Sequence, residues 1–268
     1  MKIAVLSDIH LDMNSNFVGE DLLPILVETL IEKEPDLIVI AGDLSDHVSS
    51  TIQMLDEIEK SINVKTLFIP GNHDIWIRNN ESSWDSYRAF ARHCSTLINK
   101  PYVVNDQYVI IGDMGWFDYS LAAESTSLNE ILAEKEDWGD SKYSNWSMED
   151  CELNGLMLRL LEDQLLTYKD KEVIFVTHFV PFKEYVIPSN QYMNWDVYNA
   201  FMGSLRMGNL IYQHAHIKYV IFGHTHERYP LKKNNTRTII CNPLGYIGER
   251  NVATFKRELE KSITILHV

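Results

Sequence analysis

Seven side chains with oxygen or nitrogen donors fall in five short clusters: Asp8 with His10, Asp43, Asn72, His178, and His224 with His226. All are hard or borderline donors and none is a cysteine, a set that suits divalent transition metals such as Mn, Fe or Zn. Two such ions held side by side commonly cut phosphate esters. His73 and Asp74 stand inside the same run as one of the donors, Gly71-Asn72-His73-Asp74.

Donors this far apart in sequence must be brought together by the fold. Short, β-branched apolar runs recur at residues 2–6, 37–41, 64–69, 108–111, 173–177 and 219–222, and predict strands buried on both faces. Helical spacing over 20–33, 51–60 and 150–168 alternates with them, which predicts α/β architecture. Runs at 236–241 and 262–267, separated by turn-prone 242–249, predict further strands and a partly antiparallel sheet. Each donor cluster follows a predicted strand. In open α/β sheets the loops at the carboxyl ends of strands converge on one place, and ligands bind there. Asp-x-His and His-x-His place alternate residues on one side of an extended segment. Gly42, Gly71 and Gly223 precede the donor turns, where a missing Cβ lets the backbone come close. Taken singly, an Asp after a strand is a turn or cap residue and a lone His is a hydrogen-bonded one. Five clusters at five strand ends are what make the metal reading.

The chain has 268 residues, 45% of them hydrophobic, and is read as one domain over 1–268. Residues 113–149 and 181–200 break the strand–helix rhythm and are expected to fold over the site as a lid or substrate-binding region. They carry Trp116, Phe117, Tyr119, Tyr185, Tyr192 and Trp195, which could stack on substrate or pack against the body of the fold. A net charge of −14 disfavours a protein that grips nucleic acid by its backbone and leaves a small phosphorylated molecule as the expected partner. No run is long enough to span a membrane or to form the apolar part of a signal peptide. Three scattered cysteines make no disulfide framework, so a cytoplasmic setting is expected. His214 and His216, also spaced His-x-His, lie at the end of a helical pattern and are read as a surface feature.

Asp8-x-His10, Gly42-Asp43, Gly71-Asn72-His73-Asp74, His178 and Gly223-His224-x-His226 together resemble the motif set of the calcineurin-like metallophosphoesterase superfamily, in order and over most of the chain. The resemblance implies a four-layer αββα sandwich, two mixed sheets flanked by helices, with a dimetal site at the sheet edge. It implies that Asp8, His10 and His226 hold one divalent ion and Asn72, His178 and His224 the other, with Asp43 bridging. It also implies that His73 is a catalytic histidine outside the ligand set and that Asp74 orients it. The protein Ser/Thr phosphatase branch continues its second motif with Asp-Arg-Gly and ends its third in Glu. Here the chain reads Asp43-Leu44-Ser45-Asp46 and ends the third motif in Asp74, which argues against that branch. The expected activity is hydrolysis of a phosphate ester by a hydroxide shared between two ions. A phosphodiester of small or nucleotide-like character is taken first and a phosphomonoester second. A non-catalytic protein-binding scaffold, the reading from a different class, is disfavoured because every motif position is filled.

Overall fold

The computed structural model describes residues 1–78, 81–188, 194–233, 236–250 and 254–268. In chain order its strands are β1 (Lys2–Leu6), β2 (Leu37–Ala41), β3 (Thr66–Ile69), β4 (Tyr102–Val103), β5 (Tyr108–Gly112), β6 (Glu172–Val176), β7 (Ile217–Phe222), β8 (Lys232–Lys233), β9 (Thr238–Cys241) and β10 (Thr264–His267). The helices are α1 (Leu11–Val18), α2 (Leu23–Glu32), α3 (Val48–Ile62), α4 (Ser83–Arg92), α5 (Leu128–Lys135), α6 (Gly139–Tyr143), α7 (Asp150–Thr167), α8 (Trp195–Tyr198), α9 (Leu205–Gln213) and α10 (Phe255–Ser262).

The strands form two mixed sheets, one ordered β10-β1-β2-β3 and the other β4-β5-β6-β7-β9-β8. The central strands run parallel, and β10, β4 and β8 are antiparallel additions at or near the edges. Alternation along each strand explains the stacking. Ile3, Val5, Leu37, Val39, Leu67 and Ile69 point inward and meet Ile110, Ile174, Val176, Ile221 and Ile240 of the other sheet. Their neighbours Ala4, Leu6, Ile38, Ile40 and Phe68 point outward beneath α2, α3, α4 and α10. On the far side, Val109, Val173, Phe175, Val220 and Phe222 pack under Leu161 and Leu165 of α7 and Met207 and Ile211 of α9. Both faces of both sheets are therefore apolar, which is why the runs read as continuous rather than alternating. The layer order is helices, sheet, sheet, helices, the expected αββα sandwich. Among the described residues no helix is long and apolar enough to cross a membrane.

The 113–149 segment contains α5 and α6, so it folds as short helices rather than as an irregular loop. The described part of 181–200 holds two 3-10 turns and α8; residues 189–193, with Tyr192, lie outside the described residues.

One buried charge supports the sheet edge. Asp113, fully buried just beyond β5, accepts hydrogen bonds from the Tyr87 hydroxyl at 2.6 Å and the Met114 N–H at 2.7 Å. The Met114 carbonyl then receives the N–H of His178 at 3.0 Å, so this turn positions one of the candidate ligands. Burial raises the Asp113 carboxyl to about 6, against the pull of its two donors. The folded state thus binds this proton more tightly than the unfolded chain. The stabilisation is complete below the ordinary carboxylate range and is lost as pH rises through about 6. Asp113→Asn, which cannot ionise, is expected to stabilise the protein at pH 7.5 by up to roughly 3 kcal/mol, with the gain vanishing near pH 4. Thermal unfolding across that range checks it; a gain that does not change with pH would show that the charge is not the cause.

Candidate metal centre

The donors leave the strands on tight turns with unusual backbone geometry. Asp8, His10, Asp43, His224 and His226 all have positive φ, between 42° and 71°. Left-handed backbone is uncommon for residues other than glycine, costs free energy, and collects where a site over-determines it. Neighbouring loops lock these turns. The N–H groups of Asp8 and His10 bond the carbonyls of Gly42 and Asp43 at 3.0 and 2.9 Å. The His224 N–H donates to Asp8 Oδ1 at 2.7 Å. Two glycines allow the close approach: a Cβ on Gly71 would overlap Asp43 Oδ1, and one on Gly223 would overlap Asp8 Oδ2.

The seven donors meet in one place as two adjoining groups. Asp8, His10 and His226 form one, and Asp43, His178 and His224 the other, with the ligating atoms in each within 4.8 Å of one another. Asn72 joins the second through Oδ1, 3.0 Å from His178 Nε2. Asp43 Oδ2 lies 3.2 Å from His178 Nε2 and 3.6 Å from His10 Nε2, so it touches both groups. The outward nitrogen of three of the rings is occupied. His178 Nδ1–H donates to the Ala41 carbonyl, His224 Nε2–H to the Phe201 carbonyl, and His226 Nδ1–H to Glu249. That turns the inward nitrogen of each ring toward the centre, the usual arrangement around a metal-ligating imidazole. His10 Nε2 and His226 Nε2 face each other at 3.0 Å, and Asp8 Oδ2 is buried without a hydrogen-bond partner among the described residues. Converging lone pairs and an orphaned carboxylate oxygen are costly unless a cation lies between them. These residues fit a pair of divalent ions.

Electrostatics point the same way. Burial works against the charge of His178, but Asp43 outweighs it and lifts the imidazole to about 10. Burial drives His10 and His224 well below the usual histidine range, with neighbouring histidines adding to the effect. Burial opposes ionisation of Asp43, and the surrounding histidines hold its carboxyl well down nonetheless. The proton on His178 balances Asp43, a role that a cation held here would take over.

His73 lines the same centre without joining either group of ligands. Its partner differs from the one expected from the sequence. His73 Nδ1–H donates to Asp46 Oδ1 at 2.8 Å. Asp74 is fully buried and accepts from the N–H groups of Asp43, Leu44, Ser45 and Gly71 and from the Thr51 hydroxyl, at 2.7 to 3.2 Å. Burial and nearby Asp43 push the Asp74 carboxyl up to about 7. Four main-chain donors that can only donate favour its ionised form. Asp74 therefore staples the two loops that present Asp43 and Asn72, and Asp46 orients His73. The sequence signal for Asp46 is its place three residues beyond Asp43 in the same loop. Burial lowers the pKa of His73, but Asp43 and Asp46 raise it more, and the net shift is upward. Trp76 stacks on the His73 ring, with centroids 3.6 Å apart, and the Tyr246 hydroxyl lies 3.4 Å from its Nε2.

The centre opens into a cleft of about 620 Å³ walled by Trp76, Trp138, Trp195, Ile187, Met202 and Tyr246, with Glu227, Glu249 and Arg250 at its edge. Of the aromatics that the sequence offers as stacking candidates, Trp195 lines the cleft. Trp116, Phe117 and Tyr185 are buried in the body of the fold, and Tyr119 binds Asp150. Trp138 lies in the 113–149 segment that is expected to fold over the site, whereas Trp76 and Tyr246 are wall residues that the sequence does not mark. Arg78 stands outside, in an adjoining cleft with Lys142 and Tyr143. His216 bonds the Leu165 carbonyl, remote from the site.

Fold and site together define a phosphoesterase class built on clustered metal donors. The sequence profile of calcineurin-like phosphoesterases matches residues 1–228, and the chain belongs to that family. Among solved structures, phosphopantetheinyl hydrolase (PptH) from Mycobacterium tuberculosis is similar, with a TM-score of 0.74 and 15% identity over 99% of this chain and 95% of that one. A dimetal phosphatase from Danio rerio gives a TM-score of 0.52 and 14% identity over 91% and 87% of the two chains. The protein TT1561 of Thermus thermophilus gives 0.53 and 14% over 90% and 88%. At these identities the likeness is one of fold.

Gly223→Ala tests the packing of the centre. The added methyl would displace Asp8 Oδ2, so elemental analysis is expected to fall from two ions per chain to one, with the circular dichroism of the fold retained. Two ions kept at full occupancy would remove Asp8 from the ligand set.

Proposed function

We propose that the protein is a dimetal-dependent phosphodiesterase, with Asp8, His10 and His226 holding one divalent ion, Asn72, His178 and His224 the other, and Asp43 shared between them. The observation that carries this reading is the contact of one buried carboxylate oxygen of Asp43 with a histidine of each group, 3.2 and 3.6 Å away. Two ions held there would neutralise the phosphoryl oxygens and acidify the attacking water.

The chain's own residues do the rest. Asp46 keeps the proton on His73 Nδ1 and favours the imidazolium, so Nε2–H faces the cleft as a proton donor to the departing alkoxide. Asp46 belongs to neither ligand group, so its effect persists when cations neutralise Asp43. Stacking on Trp76 and contact with Tyr246 hold the ring in that orientation. Asp74 keeps both donor loops in register, and the tryptophan walls present apolar surface beside the reacting centre.

Charge favours a diester over a monoester. Among the described residues Arg250 is the one lysine or arginine lining the cleft, beside the His73 imidazole, and its guanidinium is bound to the His226 and Leu244 carbonyls. Glu227, Glu249, Asp140 and Asp43 line it as well. A dianionic monoester or a polyphosphate would meet this acidic rim with little beyond the ions to hold it; a monoanionic diester asks less. The apolar walls suit a neutral organic portion on the substrate. A phosphopantetheinyl diester belongs in the substrate panel beside small diesters because of the fold shared with PptH.

His73→Ala is expected to keep both ions and to lose roughly 10²–10⁴-fold in turnover of an alkyl diester. An aryl diester, whose leaving group needs no proton, should lose far less, and Asp46→Asn should follow the same pattern more mildly. Equal losses on both substrates would end the proton-donor assignment. In a Mn²⁺-loaded panel, alkyl and aryl diesters are expected to exceed the matching monoesters in kcat/KM; the reverse order would favour the phosphomonoesterase reading.

A further inference from the structure

Asp140 is the one buried carboxylate of the 113–149 segment that reaches the centre. It lies at the start of α6 and is 1% exposed. Its Oδ1 accepts from Asn72 Nδ2 at 2.8 Å and from the Trp76 indole N–H at 2.9 Å, and its Oδ2 accepts from the Trp138 indole N–H at 3.0 Å. All three donors belong to the site: Asn72 is a candidate ligand, Trp76 stacks on His73, and Trp138 is a wall of the cleft.

The chemistry of the amide makes the first contact decisive. Asn72 offers two donors on nitrogen and a carbonyl acceptor on oxygen, and a rotation of the amide exchanges them. A carboxylate accepts only, so Asp140 draws Nδ2 outward and leaves Oδ1 aimed at His178 Nε2 and the shared centre. Without Asp140 the amide loses the partner that distinguishes its two ends, and half of its orientations point a donor at the cation site. Partners of this kind behind a ligating side chain are typically worth 10–100-fold in metal affinity. The other two bonds tie the same carboxylate to Trp76 and Trp138, so α6 cannot leave without loosening the ligand, the stacking on His73 and one wall together.

We propose that Asp140 is a positioning residue that sets the affinity of the ion held by Asn72, His178 and His224, and that folding of the 113–149 segment onto the site and filling of that ion position are one linked equilibrium. This rests on the dimetal reading above. Linkage is reciprocal: what the packed segment adds to ion affinity, the ion returns as order in the segment.

The test titrates Mn²⁺ into metal-free protein against a competing chelating dye. The wild type is expected to take two ions. Asp140→Ala should weaken one of them by about 10–100-fold and leave the other unchanged. Asp140→Asn, which still offers one oxygen to Asn72, should fall between the two. Both ions weakened alike, or neither, would overturn the assignment. A wild-type protein that binds no ions would overturn the dimetal reading itself, a separate outcome. A second measurement needs no variant. Hydrogen exchange on the wild type is expected to show residues 137–146 gaining protection with one of the two equivalents of Mn²⁺ and little with the other. Protection with neither, or equally with both, would overturn the linkage even if Asp140→Ala failed to fold.

Discussion

Everything at this site depends on keeping negative charge buried at the place where the two sheets open. Asp8, Asp43, Asp74 and Asp140 are each no more than 1% exposed, and each lies in or against the same centre. Carboxylates so close together in a low-dielectric interior repel one another, and burial alone would neutralise them. The fold answers in two ways. Asp74 and Asp140 are saturated with donors from main-chain N–H groups, a hydroxyl, an amide and two indoles. Asp8 and Asp43 are left short of donors and surrounded by imidazoles instead. The first pair has its charge met by the protein's own donors and holds neighbouring loops and side chains in place; the second pair carries charge that a cation would balance.

That division explains what could be read from the sequence and what could not. The six apolar runs became strands within a residue or two because each is buried on both faces, so hydrophobicity alone marks them. The donors were legible because a strand end is a fixed point. What happens within a turn was not. His73 and Asp74 are adjacent, and adjacency suggests a pair, yet the turn sends the Asp74 side chain back into its own loops and leaves His73 to Asp46. Asp140 gives no signal, because its meaning depends on a contact across 68 positions. Edge strands β4 and β8 are two residues each and carry no apolar pattern. The helices α4 and α10 are short amphipathic segments that a strand-centred reading passes over.

The aromatic residues divide along similar lines. Trp116 and Phe117 sit in a run rich in glycine and acid that resembles a surface loop, but they fill the space between the added segments and the sandwich, against Phe179 and Trp146. Two of the cleft walls, Trp76 and Trp138, are bound to Asp140, which also holds Asn72, so part of the wall and part of the donor cluster share one support.

The pairing of β10 with β1 has a bearing on how the molecule is made. Ile3 lies opposite Leu266, so the strand that leads into Asp8 and His10 lacks one neighbour until residues 264–267 have been made. The donors themselves run from residue 8 to residue 226. During synthesis the emerging chain thus offers isolated histidines and carboxylates but no assembled cage, and contacts this distant in sequence close late and slowly. A cage for divalent ions would therefore assemble only after residue 226 has emerged, so the earlier donors are made long before they have partners.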